Sequence, residues 1–412
     1  MDWSPQQAAA LKSTQEWLDD PQGPKVFRLF GFAGTGKSTL AKHIGVLEDA
    51  RGGYVQYAAF TGKAAVVMRK KGCVNARTIH SLIYKSHDKS RQELDRLTEK
   101  FKTAQGLAVR DLGEQIEAEK ANLRAPGFTL KPDALTVWDE DEETGYRSPR
   151  YIISLFVIDE CSMVDERLGA DLLSFGARVI VLGDPAQLPP VYGGGYFTNA
   201  KPDVMLTEIH RQALDSPIIS MANKIRQGGS LPLGDYGQNC SVVTTAALTA
   251  DDWMAADQIL VGKNATRQAF NARMRTLLGF EGFLPQPGEK LVCLRNNHDI
   301  GLLNGSLWEC ISCEDKPQGE MFLLKVKSLD EDNREVTCLA HKSYFLGTDL
   351  DSWDRKDANE FDFGYALTVH KSQGSQWNNV MLYDEWRMPN SKTQWQYTGV
   401  TRAAERITVV RP

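Results

Sequence analysis

The sequence lacks the features that mark membrane-spanning and secreted proteins. It has no unbroken apolar run of ~18 residues, the length a bilayer span requires, and its mean hydropathy is −0.37. The segment Met1-Asp2-Trp3-Ser4-Pro5-Gln6-Gln7 has no basic patch followed by an apolar core. We therefore expect no membrane association, no secretory signal and a cytoplasmic protein.

Cysteine is sparse and unevenly placed. The chain has seven cysteines, and only Cys310 and Cys313 have C-x-x-C spacing. A structural zinc site would need a second pair at similar spacing, and the sequence has none. We interpret the cysteines as reduced thiols of a cytoplasmic protein. The sequence has no separate cluster of metal ligands of the kind that a nuclease uses. We therefore do not expect this chain alone to cleave nucleic acid.

Basic residues are not in excess. The 48 Lys and Arg residues against 53 Asp and Glu residues give a net charge of −5. A wholly basic surface for nucleic acid is therefore excluded. A local basic groove remains compatible with this charge, because binding responds to local potential.

What the sequence does contain is typical of a globular protein with an α/β fold. The 412 residues are 42% apolar and 25% charged, which excludes disorder throughout and suggests about two to four domains. Apolar strands alternate with helical segments, which predicts a parallel sheet covered on both faces. The predicted strands are 25–30, 54–60, 152–158, 179–182, 258–261 and 380–383.

Two stretches interrupt this alternation. Residues 88–124 are charge-rich with apolar residues at helical spacing, which predicts one or two protruding amphipathic helices. A hairpin follows, with an acidic tip at 139–143 between Trp138 and Tyr146. Residues 288–346 have short alternating runs and an Asn304-Gly305 turn, which predict a small β-barrel.

A phosphate-binding turn is predicted between the first strand and the following helix. Gly31-x-x-x-x-Gly36-Lys37-Ser38 is the P-loop pattern, in which backbone N–H groups and a helix N-terminus receive phosphate oxygens. Lys37 would reach the β- and γ-phosphates of ATP, and the Ser38 hydroxyl would bind Mg²⁺. The predicted nucleotide-binding residues of the turn are Gly34, Thr35, Gly36, Lys37, Ser38 and Thr39.

Two carboxylates and an amide complete the predicted ATP-hydrolysing site. Asp159 and Glu160 follow the apolar run 152–158. Asp159 would hold Mg²⁺, and Glu160 would orient and deprotonate the attacking water. Gln187 follows the strand 179–182 and is our candidate for sensing the γ-phosphate.

An ordered set of segments resembles the motifs of superfamily 1 DNA helicases. The resemblance is strongest to the RecD/Dda-like branch, which moves 5′→3′ on single-stranded DNA. The matching segments are 4–8 (SPQQA), 31–39 (GFAGTGKST), 61–65 (TGKAA), 78–82 (TIHSL), 157–164 (VIDECSMV), 183–191 (GDPAQLPPV), 206–212 (LTEIHRQ), 365–374 (YALTVHKSQG) and 397–403 (YTGVTRA).

This resemblance implies roles for residues that spacing alone does not assign. Gln7 would contact adenine, and Arg211 and Arg402 would be arginine fingers reaching ATP from a second lobe. A surface ion pair is the alternative for either arginine. The residues that would contact DNA are Thr61, Gly62, Thr78, His80, Thr368, His370 and Ser372, with Phe60 as a possible base-stacking residue and Asn264 at a second-lobe strand end. A core aromatic and a helix cap are the respective alternatives for Phe60 and Asn264.

The resemblance also implies an architecture and an activity. We expect an α/β fold with two RecA-like P-loop NTPase lobes, an inserted pin or helical domain and an SH3-like β-barrel insertion. The expected divisions are 1–85 and 151–205 for the first lobe, 86–150 for the pin or helical domain, 206–287 and 347–412 for the second lobe, and 288–346 for the SH3-like domain.

The predicted protein is a monomeric, ATP- and Mg²⁺-dependent DNA helicase. It would act on single-stranded DNA and on junctions of single- and double-stranded DNA, and residues 86–150 could also bind a partner protein. The alternatives are an RNA-directed superfamily 1 helicase and a motor subunit of a larger recombination or nuclease assembly.

Overall fold

The computed structural model describes most of the chain. It covers residues 3–85, 94–101, 112–113, 115–117, 119–120, 129–131, 133–140, 147–190, 195–208, 216–237, 239–297, 299–315, 319–331, 333–347 and 358–412. Arg211, Tyr146 and the side chain of Trp138 lie outside this description. Over these ranges, no helix is both long and apolar enough to cross a membrane.

Helices surround the sheets and begin where the sequence provides caps. The first helix, Pro5–Asp19, starts at a capping box in which the Ser4 and Gln7 side chains each bind the other's backbone N–H. Residues 94–101 are helical, as predicted, and Leu97 is buried. The other helices include Lys37–Asp49, Gly62–Lys70, Ile79–Ile83, Glu166–Ser174, Pro217–Arg226, Ala250–Met254, Asn264–Leu277, Lys342–Leu346 and Lys392–Val400, with one-turn 3₁₀ helices at Cys161–Met163, Thr245–Ala247 and Pro389–Ser391.

The first sheet is parallel and has the strand order β10-β1-β9-β8-β2-β3. Its strands are β1 (Val26–Gly31), β2 (Val55–Ala59), β3 (Arg77–Thr78), β8 (Leu155–Asp159), β9 (Arg178–Gly183) and β10 (Val204–Leu206). Val157 packs into one hydrophobic cluster, whereas its neighbours Phe156 and Ile158 pack into another. Both faces of the sheet are therefore covered, which confirms the predicted α/β layering.

The second sheet repeats this layering. Its order is β11-β12-β21-β20-β13-β19, and all neighbouring strands are parallel except the edge pair β11 and β12. Leu260 and Leu382 pack on one face, and Ile259 and Met381 pack on the other. The strands are β11 (Gly234–Gly237), β12 (Cys240–Thr244), β13 (Gln258–Val261), β19 (Ala366–Thr368), β20 (Trp377–Tyr383) and β21 (Ala403–Arg411).

A third sheet is antiparallel. In chain order, its strands come between β13 and β19 of the second sheet. Its order is β17-β16-β15-β14-β18, with strands β14 (Lys290–Cys293), β15 (Leu307–Asp315), β16 (Met321–Ser328), β17 (Glu335–His341) and β18 (Phe361–Phe363). The sheet thus extends past residue 346, where the sequence-based division ended. The reason is that Phe361 and Phe363 are buried in the same core as Trp308 and Phe322.

Two short antiparallel pairs lie within or next to the predicted insertion 86–150. β4 (Tyr84–Lys85) pairs with β5 (Thr129–Leu130), and β6 (Thr136–Glu140) pairs with β7 (Arg147–Ile152). The predicted strand 152–158 was wrong at its start, because Ile152 ends the hairpin and β8 begins at Leu155. Ser154 lies between β7 and β8, where the chain leaves the hairpin. Its Oγ accepts a hydrogen bond from Tyr54 N.

Candidate nucleotide and nucleic-acid site

The phosphate-binding turn joins β1 to the helix Lys37–Asp49. Gly34 and Gly36 have φ of +80° and +79°, a left-handed conformation that glycine adopts without a Cβ penalty. Gly36 is the N-cap of the helix. The free N–H groups and positive end of this helix therefore face the turn, which suits an anion.

The Lys37 ammonium lies within the turn itself. Its Nζ donates to the Phe32 carbonyl at 3.0 Å and to the Gly31 carbonyl at 2.5 Å. The Thr35 hydroxyl donates to the same Phe32 carbonyl at 2.8 Å. Buried Gln7 donates from Nε2 to the Thr35 carbonyl at 3.1 Å. Gln7 thus supports the backbone of the turn, a contact that its predicted role toward adenine did not include.

Two carboxylates lie at the carboxyl end of β8, where Asp159 is the last residue of the strand and Glu160 follows it. The Asp159 Oδ1 accepts from Glu160 N at 2.8 Å, and Glu160 has a φ of +55°, a conformation that non-glycine residues adopt at a cost. Burial raises the pKa of Glu160, while the charges of Arg402 and Lys37 oppose the rise. Both cations therefore act on this carboxylate.

The loop after β9 adds an aspartate and the predicted glutamine. Asp184 is buried and its Oδ1 accepts from Ala186 N at 3.0 Å. Gln187 is also buried, and its Oε1 has no hydrogen-bond partner among the residues that the structure describes. A buried acceptor without a partner is costly, so the Gln187 amide is available to a ligand or water at this edge.

A tyrosine of the second lobe reaches into the phosphate-binding turn. The Tyr397 hydroxyl accepts from Ala33 N at 2.9 Å and donates to Asp184 Oδ2 at 2.7 Å. Its pKa is raised by burial and by the nearby charge of Asp184. One hydroxyl therefore joins the helix Lys392–Val400 to two loops of the first lobe.

The backbone of Leu188 is bound from the second lobe on both sides. Leu188 N donates to the Thr398 Oγ1 at 2.9 Å, and the Leu188 carbonyl accepts from Gln373 Nε2 at 2.8 Å. The Leu188 side chain lies in the hydrophobic core of the second lobe, and Ala33 packs against that core. The loop after β9 is thus fixed to both lobes.

Arg402 lies in the cleft between the lobes. It is 6% exposed, and its Nε donates to the Thr398 carbonyl at 3.1 Å, while Nη1 donates to the Ser375 carbonyl at 3.2 Å. Its positive charge, like that of Lys37, lowers the pKa of Glu160 against the effect of burial. Arg211, its predicted counterpart, lies outside the described residues.

Arg226 is a cation of this cleft that the sequence did not identify. Its guanidinium carbon lies 3.7 Å from the centre of the Phe32 ring. It ends the helix Pro217–Arg226 of the second lobe, whereas Phe32 belongs to the phosphate-binding turn. No motif signalled this contact, because the two residues are far apart in the chain.

The DNA-contacting residues predicted in the first lobe cluster after β2 and β3. Thr61 and Thr78 cap helices, accepting at Oγ1 from Ala64 N at 3.2 Å and from Ser81 N at 3.1 Å. His80 lies between the rings of Phe60 and Tyr84, at centroid distances of 5.8 and 5.7 Å. Burial lowers the pKa of His80, which favours its neutral form. Phe60 is half-buried, and its role as a stacking residue stays a prediction.

Gly62, another predicted DNA contact, is covered in this conformation. A Cβ at Gly62 would lie 2.5 Å from the Leu303 Cβ of the third sheet's connections. On its other side, Thr61 adjoins the second lobe, since a Cβ at Gly374 would lie 2.8 Å from Thr61 Oγ1. DNA could reach the Gly62 backbone only if the Leu303 segment moved.

The corresponding residues of the second lobe follow β19. The Thr368 Oγ1 accepts from Lys371 N at 3.3 Å. The half-buried His370 ring lies 5.7 Å from the Trp386 ring, and burial lowers the pKa of His370. Ser372 is fully buried and donates to the Val369 carbonyl at 2.8 Å. This burial disagrees with the predicted contact of the Ser372 hydroxyl with DNA.

Asn264 is exposed at the start of the helix Asn264–Leu277. The N–H groups of Gly262 and Lys263 donate to one oxygen of Glu385, at 2.8 and 2.9 Å. A carboxylate therefore covers the amides just before the helix, and the Asn264 side chain is left facing solvent. Its predicted contact with DNA remains open.

Two family models match the chain. One, described as an AAA domain, matches residues 3–247, and the other, described as a UvrD-like helicase C-terminal domain, matches residues 363–410. The first contains the phosphate-binding turn and both carboxylates, and the second contains Gln373 and Arg402. The first match covers the first lobe and continues into the second lobe through β12, and the second match lies wholly in the second lobe.

Curated relatives align with most of the chain but are much longer. The chain is 26% identical over 436 residues to an ATP-dependent RecD2 DNA helicase of Deinococcus radiodurans, an alignment that covers 98% of this chain and 50% of that protein. It is 23% identical over 287 residues to the conjugal transfer protein TraA of Agrobacterium fabrum, covering 62% of this chain and 24% of TraA. The chain thus spans about half or less of the length of these relatives.

Solved structures share the fold. The Pif1 helicase of Candida albicans aligns with a TM-score of 0.55 at 20% identity, covering 100% of this chain and 94% of that one. A Bacteroides Pif1 bound to single-stranded DNA aligns with a TM-score of 0.54 at 18% identity, covering 99% and 92%. The α/β architecture with parallel sheets therefore resembles the RecA-like lobes of Pif1 helicases.

Proposed function

We propose that this chain, which belongs to the AAA-domain family, is an ATP-dependent DNA helicase of the RecD-like group of superfamily 1. It would translocate 5′→3′ on single-stranded DNA and unwind duplex DNA. The RNA-directed and assembly-subunit alternatives have no observation in their favour.

The observation that carries the proposal is the Tyr397 bridge. One buried hydroxyl of the second lobe binds the Ala33 amide of the phosphate-binding turn and the Asp184 carboxylate after β9. A ligand at the turn would therefore be bounded by both lobes. Any change in how the turn holds that ligand would be transmitted to the helix Lys392–Val400, which ends just before Arg402.

Within this cleft the first lobe would bind and activate the nucleotide. Lys37 and the turn residues Gly34, Thr35, Gly36 and Thr39 would hold the phosphates. Ser38 and Asp159 supply a hydroxyl and a carboxylate, the hard oxygen donors that suit Mg²⁺ when phosphate and water complete its shell. Bound Mg²⁺ would neutralise charge on the phosphates.

The remaining polar groups of the cleft would act during hydrolysis. Glu160 would accept a proton from the attacking water, and the unpartnered oxygen of Gln187 would orient that water or sense the γ-phosphate. Arg402, and Arg211 by family resemblance, would stabilise the charge that develops on the transferring phosphoryl group. Gln7 would hold the turn through Thr35.

Hydrolysis would be coupled to the DNA through Leu188. Its backbone is bound by Thr398, near Arg402, and by Gln373, in the segment that carries His370. Movement of the loop after β9 would therefore displace the residues of the second lobe that we propose to contact DNA. Lobe opening and closing in each ATP cycle would then move a bound strand.

The DNA track would run across the carboxyl ends of both sheets. The contact between Thr61 and Gly374 supports this course, because it joins predicted DNA-contacting segments of the two lobes. The proposed contacts are those of Phe60, Thr61, Gly62, Thr78, His80, Asn264, Thr368 and His370. Hydroxyls, imidazoles and amides suit phosphate oxygens without reading base sequence.

The two insertions would engage the junction. The antiparallel pair β6 and β7 supports a pin within residues 86–150, and the five-stranded antiparallel sheet supports an SH3-like domain. The pin would separate the strands at the junction of single- and double-stranded DNA. The protein would act as a monomer, and residues 86–150 would also be available to a protein partner.

A strand-displacement assay tests the proposal. Duplexes with a 5′ or a 3′ single-stranded overhang are incubated with the chain, ATP and Mg²⁺. We expect unwinding from the 5′ overhang only. Unwinding only from the 3′ overhang would contradict the polarity, and stronger ATPase stimulation by single-stranded RNA than by DNA would favour the RNA-directed alternative.

A further inference from the structure

We propose that Arg226 binds the terminal phosphate of ATP from the second lobe and so distinguishes ATP from ADP. This inference rests on the proposed function, since it requires the cleft to bind nucleotide. It adds a third arginine to Arg211 and Arg402, at a position that lies outside the motifs used to recognise the family.

Arg226 is held firmly at the lobe boundary. It is the last residue of the helix Pro217–Arg226, whose Ile218, Met221 and Ile225 are buried in the core of the second sheet. The helix therefore belongs to the second lobe. Its guanidinium nevertheless contacts Phe32 of the first lobe, at 3.7 Å from the ring centre, so the two lobes meet at this pair.

Phe32 belongs to the part of the turn that holds the phosphate-binding lysine. Its carbonyl accepts from Lys37 Nζ at 3.0 Å and from the Thr35 hydroxyl at 2.8 Å. The residue whose ring Arg226 covers therefore also binds the Lys37 ammonium, through its backbone carbonyl. A short movement off the ring face would bring the guanidinium toward a phosphate held by Lys37.

Within the described residues, most N–H donors of the Arg226 guanidinium form no hydrogen bond. Its Nε is buried without a hydrogen-bond partner, and among the described residues its one hydrogen bond runs from Nη2 to Asn223 Oδ1 at a long 3.4 Å. No carboxylate in the described part of the chain pairs with it. A guanidinium carries five donors, and leaving them unused in a partly buried place is costly.

Two other arginines of this protein stack on aromatic rings in a purely structural role. Arg178 lies 3.8 Å over Trp17, and its Nη1 donates to the Leu18 and Asp20 carbonyls. Arg275 lies 4.2 Å over Phe363 and forms a buried ion pair with Glu289 at 2.7 Å. Both are fixed by hydrogen bonds. Arg226 shares the ring contact but lacks the anchors, as expected of a residue whose partner is an anionic ligand.

The ligand that fits is the phosphate furthest from the nucleoside. A planar guanidinium binds phosphate oxygens in pairs, and the other cation of the turn, Lys37, approaches from the first lobe. A group bound to both would close the cleft. ADP lacks the terminal phosphate, so Arg226 would remain on the Phe32 ring in the ADP complex.

Nucleotide affinity of the full chain without DNA tests the inference. Fluorescent ADP and a non-hydrolysable ATP analogue are titrated with Mg²⁺ into the unchanged chain, Arg226→Ala, Arg226→Lys and the control Lys224→Ala. Lys224 lies in the same last helical turn, with its ammonium 6.0 Å from the Tyr236 ring. We expect Arg226→Ala to lose about tenfold or more in affinity for the ATP analogue, as for one charged phosphate contact, and about twofold or less for ADP.

The remaining variants make the outcome decisive. Arg226→Lys keeps the charge but loses the paired donors, so an intermediate, triphosphate-selective loss is expected, and it carries the test if Arg226→Ala does not fold. Lys224→Ala should bind both nucleotides as the unchanged chain does. Equal losses for ATP analogue and ADP, or no loss, would overturn the inference and leave a structural stack. Failure of the unchanged chain to bind either nucleotide would overturn the proposed function instead, and this inference with it.

Discussion

At the scale of single residues, the cleft is arranged around Glu160. The Glu160 backbone has a left-handed conformation. Burial raises the pKa of its carboxyl group, whereas the charges of Arg402 and Lys37 lower that pKa. A carboxylate with a raised pKa is a better proton acceptor than an ordinary one while it remains ionised. The charges of Arg402 and Lys37 favour its ionised form.

Replacing Glu160 by Gln should remove hydrolysis and keep binding. The amide preserves size but cannot accept the proton of the attacking water, so we expect DNA-stimulated kcat to fall by about 10²–10⁴-fold, the usual contribution of a general base. ATP affinity, measured by titration with a non-hydrolysable analogue, should stay the same. The exposed Glu166→Gln serves as the matched control. Normal turnover in Glu160→Gln would remove the assigned role.

The pH dependence of turnover follows from the same residue. Glu160 must be deprotonated to act as a base, so the rate should fall as the pH drops through its pKa. Because burial raises that pKa above the ordinary carboxyl value, the fall should begin at a higher pH than for an exposed glutamate. A pH profile of kcat/KM, which reports groups of the free enzyme, measures this, and a kcat/KM that is constant down to the pH where exposed carboxylates titrate would contradict it.

At the scale of secondary-structure elements, the helix Lys392–Val400 connects the lobes. Tyr397 and Thr398, adjacent in that helix, bind the phosphate-binding turn and the loop after β9 respectively. The strand β21 begins just after Arg402. One short segment therefore carries three inter-lobe hydrogen bonds and a cation of the cleft.

Replacing Tyr397 by Phe tests this connection. The change leaves Ala33 N without its acceptor and removes a donor from buried Asp184, so we expect a loss of roughly 1–3 kcal/mol in the free energy of unfolding. Urea denaturation measures it. The control Tyr236→Phe removes an exposed hydroxyl bonded to the Pro232 carbonyl and should cost about 0.5 kcal/mol or less. Equal effects of the two changes would show that the bridge contributes little.

Local elements were predictable from the sequence where the determinants are close in the chain. The phosphate-binding turn needs only a strand, glycines able to adopt positive φ and a following helix, and all three lie within residues 26–49. The start of β8 was missed because Ile152 and Ile153 have the same apolar character. Ile152 is 65% exposed at a hairpin end, whereas Ile153 is buried, a difference that depends on the hairpin and not on composition.

Contacts between distant residues were not predictable. The stacking of Arg226 on Phe32 and the covering of Gly62 by Leu303 depend on how the lobes and the third sheet are placed. Ser372 lies in a motif associated with DNA, yet its side chain is fully buried. A motif assigned from resemblance identifies the segment, but the direction of each side chain depends on packing.

At the scale of the whole molecule, the third sheet is docked on the first lobe through charged side chains. Lys63 pairs with Asp330 at 3.1 Å, and Arg69 pairs with Glu331 at 3.1 Å. The Lys63 side chain is 10% exposed and also lies 4.5 Å from the centre of the Trp377 ring. This position joins the third sheet, the first lobe and the second lobe.

Replacing Asp330 by Asn should loosen this docking. The change leaves the Lys63 charge buried without its partner, so we expect a loss of about 3–5 kcal/mol in the free energy of unfolding if Lys63 cannot reach water. Urea denaturation at low and high salt measures the effect. The control Glu335→Gln removes an exposed pair with Lys325 and should cost about 0–1 kcal/mol. A cost as small as that of the control would show that Lys63 is solvated without Asp330.

The central claim is that a nucleotide is bound between the two lobes and held by both. The most direct measurement is a structure of the chain with a single-stranded oligonucleotide, Mg²⁺ and a non-hydrolysable ATP analogue. The account predicts that Lys37 and Arg402 both lie within hydrogen-bonding distance of the phosphates, with the oligonucleotide crossing both parallel sheets. A nucleotide bound by the first lobe alone, with Arg402 directed away from its phosphates, would contradict the account.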